Sequence, residues 1–205
     1  MGREMRQRHA IFLSAGVPDP SAKHFISEGD TAAISALVSA LLYVALGRRP
    51  IVWGGHPAIT PMVWAYAEGL GVDYSKWVTL YQTDFFKEEF PEENERFKNV
   101  VVTEAVAGDR EGSLMVMRCR MLSENAFDAA IFAGGMGGIF DEYRLVRKLA
   151  ANAKILPIGS TGGAAAALAI EVRADRDLSE ELDYVALLFE QLAIDPNELR
   201  SGVAH

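Results

Sequence analysis

The chain has 205 residues, half of them apolar and 23% of them charged, which is typical of a globular protein and excludes a disordered or fibrous chain. The length predicts one domain over residues 1–205, and the single cysteine, Cys119, excludes an intrachain disulfide framework. The net charge of −8 argues against general binding to nucleic acids, which requires a basic surface.

Short apolar runs of strand character alternate with helical stretches along the chain. In chain order the predicted elements are a strand at residues 10–14, a helix at 31–46, a strand at 50–53, a helix from 60 to 69–71, strands at 77–81 and 99–103, a helix at 111–125, a strand at 128–133, a helix at 140–150, a strand at 154–158, an alanine-rich helix ending near 172 and a final amphipathic helix at 178–193. Apolar strands separated by helices are typical of a parallel sheet covered on both faces. The sequence therefore predicts an α/β fold with a doubly wound, mostly parallel, Rossmann-like sheet.

Residues at the predicted boundaries have the expected chemistry. Asp30 suits the N-cap of the first helix and Gly47 its end. Thr60 and Pro61 suit the N-cap and the first position of the second helix. Residues 85–98 are acidic and aromatic without a clean period, which predicts a loop or a short helix.

The sequence predicts a cytoplasmic protein without a membrane segment. The longest apolar run, residues 32–46, is shorter than the roughly 20 residues that a membrane-spanning helix needs. The basic N-terminal residues precede an apolar run that is too short for a signal peptide and is followed by Pro18.

Four predicted strands end in turns that carry glycine. In a parallel sheet the carboxyl ends of the strands share one edge, where ligands bind, so we expect these turns to converge on one cleft. Glycine lets the backbone approach a ligand, and helix N-termini favour anions such as phosphate. Each turn could equally be a tight connection, and the pattern is neither GxGxxG nor GxxxxGK[ST]. The expected ligand-binding residues of these turns are Ser14, Gly16, Gly54, Gly55, His56, Gly134, Gly135, Met136, Gly137, Gly138, Ser160, Thr161 and Gly162.

Residues 127–146 (FDAAIFAGGMGGIFDEYRLV) place a GGxG turn after a strand and an acidic residue in the next helix. This segment resembles the SLOG superfamily, which groups LOG-type phosphoribohydrolases with Smf/DprA Rossmann domains and bacterial ligand-sensing domains. LOG enzymes carry PGGxGTxxE. In that window Ala133 replaces the proline, Gly138 the threonine and Asp141 the glutamate, and Glu142 follows one position later.

Two further features extend the resemblance over about residues 11–172. LOG enzymes carry an arginine in the helix before this strand, which Arg118 matches, with Arg120 as the alternative. Residues 156–163 (LPIGSTGG) match the last strand and turn of bacterial SLOG proteins. The resemblance implies a homo-oligomer that binds a nucleotide or nucleotide-derived ligand. We expect no cofactor, and the scattered histidines predict no metal site.

Some members of the superfamily cleave N-glycosidic bonds, which requires stabilisation of an oxocarbenium-like transition state by a carboxylate. Glu142 is the first candidate for this role and Asp141 the second. Neighbouring helix residues point about 100° apart, so we expect only one of them to face the cleft. Arg118 could hold a phosphate through two hydrogen bonds. Alternatively, the acids complement a helix dipole and the arginine is a surface charge.

Three other features bear on the cleft. His56 could bind a ribose or base, or cap its own turn. Ser14 has no evident base partner, which argues against a nucleophilic serine. The aromatic residues of segment 85–98 could form a lid over a stacked base, a partner surface or a dimer contact.

Three functions remain open. The favoured one is a binding module that could act as a sensor in a stress or defence system, because the PGGxGTxxE pattern is altered where catalysis needs it most. The alternative is a LOG-like hydrolase that uses Glu142 or Asp141 with Arg118. The weaker alternative is a structural oligomer subunit with the helix at residues 31–46 as its interface.

Overall fold

All six strands belong to one parallel sheet, which confirms the predicted α/β class. The computed structural model describes residues 9–70, 77–90 and 92–201. Across the sheet the strands follow the order β4-β3-β2-β1-β5-β6, and each neighbouring pair is parallel. The strands are β1 (Ala10–Gly16), β2 (Ile51–Trp53), β3 (Val78–Thr83), β4 (Val100–Thr103), β5 (Phe127–Gly134) and β6 (Lys154–Ile158).

Helices cover both faces of the sheet. They are α1 (Thr31–Ala45), α2 (Thr60–Gly69), α3 (Arg110–Ser123), α4 (Gly138–Leu149), α5 (Gly163–Val172), α6 (Arg176–Glu180) and α7 (Tyr184–Gln191). In β1, Ile11 and Leu13 pack in the cluster that contains α1, α2, α6 and α7, whereas Phe12 packs with α3, α4 and α5. This alternation of side chains across a strand buries both faces, which is why the strands are continuously apolar.

Two predicted boundaries are wrong. The N-cap of α2 is Ile59, and Thr60 is the first helical residue, since its backbone N–H donates to the His56 carbonyl at 2.8 Å in the helical i to i−4 pattern. The final helix at residues 178–193 is two helices, α6 and α7. The chain is extended at Glu181, whose carboxylate accepts two following backbone N–H groups, and Asp183 then caps α7. Side-chain hydrogen bonds of this kind compete with helix continuation.

The ambiguous acidic and aromatic segment forms two short 3-10 helices, Asp84–Glu89 and Glu92–Arg96. The Thr83 side chain accepts the N–H of Phe85 and so caps the first of them. This segment follows β3 directly, and it therefore starts at the edge of the sheet where the strands end.

The apolar helix α1 packs inside the chain. Asp30 caps it as predicted, with its side chain accepting the N–H of Ala33 at 3.0 Å. Most of the apolar residues of α1 are buried against α2, α7 and the sheet. Little of α1 is therefore exposed for contact with a second copy, and the interface role considered for residues 31–46 and the homo-oligomer stay predictions. Within the described ranges, no helix is both long and apolar enough to span a membrane.

The strand order places a switch point between β1 and β5. Successive strands β1 to β4 extend to one side, and β5 and β6 lie on the other. The last paired residues of β1 and β5 are Gly16 and Gly134, so the two glycine turns leave the sheet side by side. Ligands of open α/β sheets bind at the carboxyl edge at such a point.

The turn after β6 is fixed beneath this edge by Thr161. Its side chain is fully buried, accepts the Gly134 N–H at 2.9 Å and donates to the Ile158 carbonyl at 2.6 Å. Because these hydrogen bonds join β6 to the end of β5, they hold the glycine turn of β5 in place.

We expect Thr161→Val to lower the free energy of unfolding by about 2 kcal/mol, because a buried N–H and a buried carbonyl lose their partner. Urea denaturation measures the change. Ser160→Ala is the matched control and should cost less than about 1 kcal/mol, since the Ser160 hydroxyl donates to the exposed Glu181 carbonyl. Equal losses in the two variants would contradict the assignment.

Candidate functional site

A cavity of about 750 Å³ opens at the carboxyl edge of the sheet. It is bounded by the ends of β1, β2 and β3, by α3 and by the start of α4, so it brings together chain segments that are far apart in sequence. The predicted site residues that line it are Ser14, Gly16, Gly54, Gly55, His56, Arg118, Gly135, Met136, Gly137, Gly138, Asp141 and Glu142.

The fourth glycine turn does not line the cavity. The Ser160 hydroxyl contacts the Glu181 carbonyl and the Tyr184 hydroxyl, and Thr161 is buried under β5. Gly162 forms a β-bridge with Gly29. The structure therefore brings three of the four predicted turns together and uses the fourth, with Gly134, to support them.

An ion pair between α3 and α4 lies at the centre of the cavity wall. The Arg118 Nε donates to the Glu142 Oε1 at 3.0 Å, and the Ser14 hydroxyl donates to the Glu142 Oε2 at 2.5 Å. The side chains of Arg118 and Glu142 are only 9% and 15% exposed. Ser14 thus has a carboxylate partner, contrary to the sequence-based expectation, because α4 brings Glu142 over the end of β1.

Both candidate acids line the cavity, so the expectation that only one would do so is wrong. Asp141 lies in the first turn of α4 and Glu142 follows it, and the wall of the cavity includes both side chains. Asp141 is 40% exposed and lies 3.7 Å from the Arg118 guanidinium and 3.3 Å from that of Arg144. Arg120, the alternative arginine, pairs with Glu124 away from the cavity.

The glycine at position 138 leaves room for the Arg118 guanidinium. A Cβ atom at this position would lie 2.7 Å from the Arg118 Nη2, closer than a real contact allows. Position 138 is where LOG enzymes carry threonine. A side chain at position 138 would therefore collide with the Arg118 guanidinium, so the inward position of Arg118 depends on glycine at this position.

Internal carbonyl and hydroxyl groups accept several N–H groups of the glycine-bearing segments after β5 and β6. The loop at residues 17–29 lies over the start of α4 and α5 and supplies two of the acceptors. The donor and acceptor pairs are Gly134 to Thr161, Gly135 to Gly16, Gly137 to His24 and Gly163 to Glu28. Among the described residues, Met136 and Gly138 are left with N–H groups that have no acceptor in this turn.

His56 lies in the cavity lining and also caps its own turn, and its role in binding a ligand stays a prediction. Its ring lines the cavity and packs against Gly16, and its Nδ1 faces the Ala58 N–H at 3.2 Å. An Nδ1 that accepts this hydrogen bond leaves the proton of the neutral ring on Nε2. Burial lowers the pKa of His56 below its ordinary value, which favours this neutral form.

Several lining residues were not predicted individually. Gln82, near the end of β3, donates from its amide to the Gly54 carbonyl at 3.1 Å. The sequence predicted this strand to end at residue 81. A prediction of a longer strand would have placed Gln82 at the carboxyl edge of the sheet, where the other site residues were expected. Phe86 and Phe90 line the cavity from the acidic and aromatic segment, with the Arg110 guanidinium 5.4 Å from the Phe86 ring centre.

The site offers hydrogen-bonding and ionic groups rather than a metal centre. In the part of the chain that the structure describes, no cluster of three or more His, Cys, Asp or Glu could hold a metal ion. The polar residues of the lining include carboxylates, guanidinium groups, the Ser14 and two threonine side chains, two histidines and the Gln82 amide, which suit a polar organic ligand.

A family model described as the SLOG cluster3 family matches residues 24–192. The matched range contains β2 to β6 and the Arg118, Asp141 and Glu142 side chains, whereas β1 with Ser14 precedes it. No curated protein gives a significant match.

The lowered pKa of His56 makes a testable contribution to stability. Because the folded chain resists protonation of His56, this contribution is complete above the unfolded pKa of about 6.5 and is lost as the pH falls from there through the folded value. Urea denaturation between pH 7.5 and 5 should therefore show a greater loss for the native protein than for His56→Gln. An NMR titration in which the His56 ring of the folded protein titrates at or above 6.5 would contradict this expectation.

Proposed function

We propose that this chain, which belongs to the SLOG cluster3 family, binds a nucleotide or nucleotide-derived ligand in the cavity at the carboxyl edge of its sheet. Membership of this family suggests a nucleotide-related function. The observation that carries the proposal is the convergence of Ser14, Arg118 and Glu142, from three separate elements, on one cavity at the switch point of the sheet.

The size and the lining of the cavity support a ligand of this class. Its volume of about 750 Å³ is within the range of small-molecule sites. The acidic groups and Gln82 can bind ribose hydroxyl groups, and Phe86 and Phe90 offer apolar surface for a planar base. One cavity thus offers both kinds of surface that a ligand with a sugar and a base requires.

The state of Glu142 favours a sensor over an enzyme. Both of its carboxylate oxygens are engaged, one by Arg118 and the other by Ser14, and the side chain is largely buried. A carboxylate that activates water must present an oxygen atom to it. Glu142 therefore suits recognition and positioning, and we propose that the protein senses its ligand, as some superfamily members do in stress or defence systems.

One observation favours hydrolysis of an N-glycosidic bond as the second candidate. Asp141 occupies the position of the glutamate in PGGxGTxxE, lines the cavity and is 40% exposed, so its carboxylate can approach a ligand. A carboxylate at this place could stabilise an oxocarbenium-like transition state. In this second function Asp141 would be the catalytic residue and Glu142 a positioning residue.

The binding proposal predicts a difference between two arginines of the same helix. Isothermal calorimetry with a panel of nucleosides, nucleotides, NAD and ADP-ribose should give at least one ligand for the native protein. Arg118→Gln should lower the affinity for that ligand roughly tenfold or more, because a charge-assisted hydrogen bond is lost and Glu142 is no longer held in place. Arg120→Gln removes the same charge outside the cavity and should leave affinity unchanged. Lack of binding across the panel, or equal losses in both variants, would refute the proposal.

The sensor and hydrolase functions differ in whether base is released. With the bound ligand identified, chromatography over hours should show no free base if the protein is a sensor. Should base appear, Asp141→Asn is expected to abolish the release and Glu142→Gln to reduce it, with Arg120→Gln as the control. Base release that survives Asp141→Asn would exclude Asp141 as the catalytic residue.

A further inference from the structure

We infer that the cavity selects bases that carry an exocyclic amino group, such as adenine and cytosine, over their oxo counterparts hypoxanthine and uracil, and that Gln82 makes this selection. The selection rests on the proposed function, because it requires a nucleotide or nucleotide-derived ligand in the cavity. It concerns the base alone and is independent of how many phosphate groups the ligand carries.

The side-chain amide of Gln82 has a fixed orientation. Its Nε2 donates to the Gly54 carbonyl at 3.1 Å. A Cβ atom at Gly55 would collide with this nitrogen, so glycine at position 55 leaves the amide the room that it needs to reach the carbonyl. Because rotation of the amide by 180° would place two oxygen atoms against each other, the Gly54 carbonyl decides which end of the amide carries the nitrogen.

The other end of this amide is a hydrogen-bond acceptor that a ligand can reach. Gln82 lines the cavity, and no described residue donates to its Oε1. Since the nitrogen is held by Gly54, the group that Gln82 offers to a ligand is this oxygen. An amide oxygen accepts a hydrogen bond and cannot donate one, so it suits an amino group of the ligand and opposes a carbonyl.

His56 adds a donor of fixed polarity on the same turn. Its Nδ1 accepts the Ala58 N–H at 3.2 Å, which leaves the hydrogen atom of the neutral ring on Nε2. Adenine and cytosine both combine an amino donor with ring nitrogen acceptors, whereas uracil and hypoxanthine present a carbonyl at the place of the amino group. The acceptor of Gln82 and the donor of His56 therefore match the amino bases.

The position of Gln82 in the sheet favours contact with the base over contact with the ribose. Gln82 lies near the end of β3, and the segment that carries Phe86 and Phe90, which also line the cavity, follows this strand directly. The carboxylate of Glu142 is held by Ser14 at the end of β1, and β2 lies between β1 and β3. Two strand spacings amount to roughly 10 Å. The aromatic rings and Gln82 are thus at the end of the cavity away from the carboxylates that suit a sugar.

Isothermal calorimetry with matched ligand pairs tests the selection. The pairs are AMP with IMP, CMP with UMP, and NAD with its hypoxanthine analogue. The two members of a pair have the same ribose and phosphate groups, so any contact with a phosphate cancels in the ratio of their affinities. In each pair that binds, we expect the native protein to bind the amino member roughly fivefold or more tightly, because an oxo group leaves the Gln82 Oε1 without a donor.

Four variants separate the role of Gln82 from other effects. Gln82→Met removes the amide at similar length and should reduce the ratio to less than about twofold. Gln82→Glu keeps an acceptor oxygen and should retain the preference for the amino member. Gln191→Met is the same change outside the cavity lining and should leave the ratio unchanged. Phe86→Leu removes ring surface without a polar group, so it should lower both affinities alike.

The outcomes separate the selection from the function on which it rests. Binding without a preference, or with a preference for the oxo member, would overturn the selection and leave nucleotide binding established. Equal loss of affinity for both members in Gln82→Met would assign Gln82 to the ribose, and an unchanged ratio in Gln82→Met or a lost preference in Gln82→Glu would assign the selection to another group. Each of these results would overturn the inference. Lack of binding by all six ligands would remove the proposed function and the selection together.

Discussion

The ion pair between Arg118 and Glu142 joins three elements that are distant in the sequence. Arg118 comes from α3, Glu142 from α4, and Ser14 at the end of β1 completes the contact. A buried ion pair is weak as a source of stability but strict in its geometry, because either charge left alone would be costly. The pair therefore holds α3 and α4 together at the wall of the cavity, to which both side chains contribute.

Much of the fold could be predicted from the sequence because its signals are local. The apolar strands, the Asp30 cap and the glycine turns each depend on residues close together in the chain, and they predicted the parallel sheet correctly. Where two local signals compete, the prediction failed. The side-chain hydrogen bonds of Glu181 and Asp183 split the last helix although its apolar periodicity continues across them.

The site was predictable to the extent that it follows from topology. Because parallel strands end at one edge, the turns after β1, β2 and β5 meet there, as expected. The sequence could not show that Glu142 contacts Ser14, since this contact depends on how α4 packs over β1. Nor could it show that Thr161 turns inward to bind β5 rather than outward to a ligand. Similar residues in similar turns thus have different roles: some line the cavity, and others hold a neighbouring strand in place.

The loop at residues 17–29 connects the starts of two helices beside the cavity. Its carbonyl oxygens accept the N–H groups of Gly137 and Gly163, so the loop is attached to α4 and α5. Because the loop belongs to the same chain, these acceptors are present at a high effective concentration. A change in the length or path of this one loop would therefore alter the cavity wall, to which Val17 and His24 contribute, while the sheet and the glycine-rich turn beneath it stay the same.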